Sequence, residues 1–173
     1  AEMLRKTMLS AAAATMVLGL GAATADAGTI RVTWDRTGTD AYSAPSGTDG
    51  AGGGEFKVYE FTGHSAPSMG AGVNLGGVFQ TFCLERNEFI TAGKQFQWDL
   101  NTAAVNGGIA GGNPDPLDDR TAYLYTQFWN GTLSSYEYAD LGDQAGERAM
   151  SATELQEAIW FIEQELTVAS GQG

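Results

Sequence analysis

Cys83 is the only cysteine in this 173-residue chain. A lone cysteine in an exported protein has three readings: a buried inert thiol, an intermolecular disulfide, or a covalent bond to something other than cysteine. As a residue type it packs well as a small hydrophobe, which favours the first. The other chemistry-bearing residues are sparse. His64 is the only histidine and falls in a Gly/Ser-rich loop, with little to mark it as a base. Asp115, Asp118 and Asp119 cluster, but their spacing matches no defined calcium loop, and helix capping accounts for part of it. Asn130-Gly131-Thr132 is a glycosylation sequon for a host with that machinery. No Ser-His-Asp order, zinc-ligand spacing or phosphate-cradling motif is present, so an enzyme is not expected, and neither a cofactor nor a metal is implied.

The oxidising compartment itself is read from the start of the chain. Arg5 and Lys6 precede a short Ala/Gly-rich apolar stretch from Leu9 to Ala23, and Ala25-Asp26-Ala27 fits a small-x-small cleavage site. Residues 1–27 therefore read as a secretory leader, too short and too rich in small residues for a stable membrane span. The residues removed include two acids and two bases, so the net charge of −12 belongs wholly to residues 28–173. That segment has the size of one domain with its own core. Its acidity repels phosphate backbones and argues against nucleic acid as a partner.

Elements able to position Cys83 follow from periodicity. Thr29 to Trp34 and Phe56 to Phe61 alternate apolar with polar residues and predict strands, separated by a mobile Gly/Ser/Thr/Asp-rich loop over 35–54. Val78 to Glu85 predicts the strand that carries Cys83, and Glu88 to Thr91 with Gln95 to Leu100 continues the sheet. After a Gly/Asn/Pro-rich connection, Asp118 or Asp119 caps a helix running to about Phe128, with Leu117, Leu124 and Phe128 on its buried face and Asn130-Gly131 as its stop. Ser151-Ala152-Thr153-Glu154 reads as a capping box opening a second helix, whose apolar positions are Leu155, Ile159, Ile162 and Leu166. The expected architecture is α+β and mainly β: one β-sandwich or barrel-like domain with two or three short helices in its C-terminal half. The chain stops just after a helix without a closing strand, as expected of a piece of a longer protein.

Two short segments carry a resemblance. Phe82-Cys83-Leu84-Glu85 is an aromatic-Cys-hydrophobic-polar tetrad, and Leu155-Gln156-Glu157-Ala158-Ile159-Trp160 is a hydrophobic-Gln-x-Ala-Ile-Trp segment much later in the chain. In that order they resemble the internal-thioester domains of bacterial surface adhesins, in the branch found in exported proteins with a PEP-CTERM sorting tail. Asn113-Pro114-Asp115-Pro116 and Thr121-Ala122-Tyr123-Leu124-Tyr125 also look like that branch. The resemblance spans about 78–166. The adhesins commonly have Thr before the Gln, where this chain has Leu155.

The resemblance implies a bond between Cys83 and Gln156. A thiolate is a nucleophile, and a glutamine carboxamide has a carbonyl carbon that can lose ammonia; held together, the two close a thioester without a bimolecular encounter. Such a bond needs a dry surround, for which Phe82, Leu84, Trp160, Phe161 and Tyr125 are the candidates, each equally explicable as core. The implied function is covalent adhesion from a secreted, cell-surface position to an amine or hydroxyl on a cell, matrix polymer or neighbouring subunit. The alternative is a structural protein of a biofilm matrix, sheath or filament, including a homopolymer, without reactive chemistry or with the thioester kept only as an internal crosslink. The two differ in solvent access to the bond.

Overall fold

The computed structural model describes residues 16–17, 28–33, 53–63, 65, 67–70, 73, 77–88, 90–104, 108–110, 112–139 and 146–166. Strands β1 (Met16–Val17), β2 (Gly28–Thr33), β3 (Phe56–Phe61), β4 (Phe79–Thr81) and β5 (Gln95–Leu100) form one antiparallel sheet in the order β1-β5-β2-β3-β4. β6 (Ala103–Ala104) and β7 (Asp115–Pro116) form a two-stranded ribbon, and helices α1 (Asp119–Trp129) and α2 (Glu147–Ile162) complete a mixed α+β architecture. Among the described residues the sheet does not close into a barrel. Apart from Met16–Val17, which pair with Asp99 and Leu100, the expected leader lies outside the described residues, as do Trp34, His64 and most of the 35–54 loop.

The period-2 pattern sets the sheet's inner face. Ile30 and Val32 of β2 and Phe56 and Val58 of β3 are buried, while Arg31 and Glu60, opposite one another in register, form an ion pair at 2.8 Å on the outer face. α1 lays Tyr125, Phe128 and Trp129 over that inner face. Phe128 meets Phe82 edge-on at 5.0 Å between ring centroids, and the Tyr125 hydroxyl donates to the Gln80 carbonyl at 2.8 Å. Its start matches the capping expectation, since the Asp118 carboxylate accepts from the Arg120 N–H at 2.7 Å. Leu117 and Leu124 are only partly buried against the core.

Three local expectations are corrected. The strand predicted over Val78 to Glu85 is only Phe79–Thr81, so Cys83 lies just past its end in irregular backbone, and Glu88 to Thr91 adds no strand among the described residues. α2 starts at Glu147 rather than at Ser151. Ser151 and Thr153 sit inside it, with their hydroxyls donating back to the carbonyls of Glu147 and Ala149 at 3.0 and 2.9 Å, an arrangement that removes any need for them as caps. Gln156 is consequently deep in α2, not near its start.

Candidate functional site

On α2, Arg148, Ala152, Gln156 and Trp160 recur every fourth residue and form one row, all of it buried. Its later members, Gln156 and Trp160, face the irregular segment after β4. Gln156 is 0% exposed, and its carboxamide docks on the backbone of Cys83. Oε1 accepts from the Cys83 N–H at 3.0 Å, and Nε2 donates to the Cys83 carbonyl at 2.7 Å. Oε1 also accepts from the Gly54 N–H at 3.3 Å. Rotating the amide by half a turn would set NH₂ against two N–H donors, so only this orientation satisfies the site. The side chain thus pairs with Cys83 as a neighbouring strand's peptide would. That is why Cys83 needs no ladder partner and why β4 ends before it.

The thiol belongs to the very residue whose N–H and C=O clamp the carboxamide. Cys83 is half-buried. Burial, and secondarily the charge of Glu88, pushes its thiol up to about 12. The sulfur is therefore protonated at neutral pH and must lose its proton in any acyl transfer.

A pair of glycines covers the other side of Gln156. A Cβ on Gly53 would lie 2.7 Å from Gln156 Cγ and 2.8 Å from Trp160 Cη2, so no side chain fits there. Gly54 has φ +134°, a conformation L-residues rarely adopt. The next residue, Glu55, is anchored to α2. Its carboxylate receives Arg148 Nη2 at 2.6 Å and Nε at 3.0 Å, and the Tyr136 hydroxyl at 2.9 Å. Arg148 also donates to the carbonyls of Val73, at 2.6 Å, and Tyr138. Burial, then the Glu55 carboxylate, holds Tyr136 well above the usual phenol range, so it remains a donor. The same buried ion pair that fixes the early turn of α2 therefore fixes the glycines over Gln156.

Of the expected dry surround, Phe82, Leu84, Tyr125 and Trp160 are buried. Phe161 is not. It is 61% exposed on the solvent side of α2, because the row through Gln156 and Trp160 turns its neighbour outward. Trp160 packs on Gly53, and the Arg86 guanidinium lies 5.8 Å from the centroid of its ring.

Below the site, a second polar cluster ties the Cys83 segment to the end of α2. Glu165, fully buried, accepts from the backbone N–H groups of Arg86 (3.0 Å), Ile109 (2.7 and 2.9 Å) and Ala110 (3.1 Å). Glu85 lies beside it with a buried Oε2 that has no hydrogen-bond partner among the described residues, and a Cβ on Gly108 would fall 2.0 Å from that oxygen and 2.1 Å from Glu165 Oε2. Burial, then Glu165, Asp115, Glu88 and Glu163, pushes the Glu85 carboxyl up to about 8. Among the described residues no group of three or more His, Cys, Asp or Glu side chains is arranged to hold a metal ion, and no helix is long and apolar enough to cross a membrane.

Sequence reading missed Gly53, Gly54, Glu55, Arg148 and Glu165. The signal for the first two was the Gly52-Gly53-Gly54 run directly ahead of a strand, a place where backbone approaches something closely. Charged residues destined for burial carry no such mark. Comparison of the chain with family models, curated proteins and solved structures finds no match.

Proposed function

We propose that this is a secreted, bacterial cell-surface protein in which Cys83 and Gln156 form an internal thioester, opened by an amine or hydroxyl on a cell, matrix polymer or neighbouring subunit. The observation that carries this reading is the docking of the Gln156 carboxamide on the Cys83 backbone. That contact holds the acyl donor against the backbone of the residue that carries the only thiol in the chain, which supports the approach of sulfur to Cδ that thioester closure requires. Capture leaves the Gln156 acyl group bonded to its target and returns Cys83 as a thiol. The reaction runs once per molecule, so the protein is an adhesin and not an enzyme. In this reading residues 28–173 make up one sandwich- or barrel-like extracellular domain.

A second reading has its own support. Gln156 is fully enclosed, which suits an internal crosslink in a matrix, sheath or filament protein better than a bond awaiting a target. Cys83 as a residue is half-buried, which favours the first.

Intact mass of the purified protein, with and without methylamine, tests both. The expected result is a mass short by one ammonia, then gain of one methylamine at Gln156, with both changes abolished by Cys83→Ala. A mass short by one ammonia that resists methylamine in the folded protein supports the crosslink. An unmodified mass with Cys83 freely alkylated overturns the thioester.

A further inference from the structure

We infer that the backbone N–H groups of Cys83 and Gly54 form an oxyanion hole for acyl transfer at Gln156, with the Cys83 carbonyl receiving the departing amine. This rests on the thioester reading and assigns the groups that would make the bond form and react.

The step balances within the protein. Cys83 Sγ adds to Gln156 Cδ, forming the S–C bond while the carbonyl π electrons move onto Oε1. The thiol proton passes to Nε2. The oxyanion then re-forms the carbonyl, the C–N bond breaks, and ammonia leaves. When a target amine attacks the thioester, the same oxygen again takes up the electrons, the C–S bond breaks, and an amine proton passes to sulfur. Negative charge develops on Oε1 in both reactions, so a donor fixed there accelerates both.

Two donors are fixed there already. The N–H groups of Cys83 and Gly54 reach Oε1 at 3.0 and 3.3 Å. Both are main-chain groups, so neither reorients as the reaction proceeds, and contacts of this kind tighten as charge develops. Opposite them, the Cys83 carbonyl holds Nε2 at 2.7 Å, where positive charge appears as the nitrogen gains its proton. The glycine pair is adapted to this task at both positions. Gly53 lets the backbone close on Gln156 Cγ and Trp160, and Gly54 takes the positive φ that turns its N–H toward Oε1.

The test replaces Gly54 by glycolic acid through codon suppression, converting the Gly53–Gly54 peptide to an ester and deleting only that N–H. Intact mass is followed through refolding, for ammonia loss, and then in methylamine, for opening of the bond. We expect both rates to fall by about 10² to 10³-fold, the usual cost of losing one such donor, with the thermal unfolding profile little changed. Gly53→Ala, which pushes Gln156 Cγ away from the donors, should likewise abolish ammonia loss while near-ultraviolet circular dichroism still reports a folded core. Wild-type rates in the ester variant, or in folded Gly53→Ala, overturn the oxyanion hole and leave the thioester standing. A wild-type protein that never loses ammonia overturns both.

Discussion

Arg148→Met removes a buried cation while keeping most of its volume, and the structure fixes what that should cost. The Arg148 and Glu55 side chains are 1% and 0% exposed, joined at 2.6 Å, and Arg148 also satisfies the carbonyls of Val73 and Tyr138. The substitution leaves the Glu55 carboxylate buried without that guanidinium, a change that typically costs about 3–5 kcal/mol. In a domain of this size each kcal/mol lowers Tm by roughly 2–4 °C, so a fall of roughly 6–20 °C is expected in thermal unfolding followed by circular dichroism. Adding Glu55→Gln removes the stranded charge and should recover about 1–3 kcal/mol, a coupling within the range for residues in direct contact. Because Glu55 follows Gly54 directly, Arg148→Met should also slow ammonia loss. A Tm within about 3 °C of wild type, or a double variant whose cost equals the sum of the singles, would refute the claim that this pair holds the glycines over Gln156.

Three further outcomes are expected. Glu85 should make stability depend on pH: its folded value of about 8 lies above the ordinary 4.5, so the folded state holds the extra proton, stabilisation is full below about pH 4.5, and it is lost as pH rises toward 8. Urea midpoints for wild type should fall across that window, and those of Glu85→Gln should fall less; equal slopes would show that the proton is not held there. Phe128→Ala, at a 0%-exposed position meeting Phe82 and Tyr136, should cost about 3–5 kcal/mol, whereas Phe161→Ser on the open face of α2 should stay within about 0.5 kcal/mol and leave methylamine reactivity unchanged. Opening the thioester with methylamine should lower Tm by roughly 10 °C, measured by calorimetry on the two mass-verified forms.

What was legible in the sequence was whatever obeys local rules. Alternation marked the inner faces of β2 and β3, and Asp118 announced α1 because a capping carboxylate acts within its own turn. Ser151 failed by the same logic. Its box was plausible locally, but α2 extends upstream to place Arg148 against Glu55, a contact across 93 residues that no local pattern encodes. Cys83 failed for a related reason. Its neighbours have strand propensity, yet its N–H and C=O are taken by a helix side chain 73 residues away. Phe161 was assigned to the dry surround by residue type, although four-residue spacing from Ala152 through Gln156 to Trp160 already placed it outside the buried row. Trp160, named on the same ground of residue type, lies on that row and is buried.

The docking of Gln156 also determines what bond formation does to the fold. When ammonia leaves, the Nε2 hydrogen bond to Cys83 is lost, a net cost of about 0.5–1.5 kcal/mol, while Oε1 keeps its two donors. In exchange the chain is crosslinked across 73 residues, which on chain-entropy grounds stabilises the fold by roughly 4 kcal/mol. On the proposed reading the thioester would be a rivet whichever way the protein uses it, and attack by a target would give up that stabilisation at the moment of attachment. A domain that must remain folded after capture cannot depend on the bond for its integrity. The aromatic layer under α1 and the Glu55–Arg148 pair, which grip both sides of the site without involving sulfur, would meet that requirement.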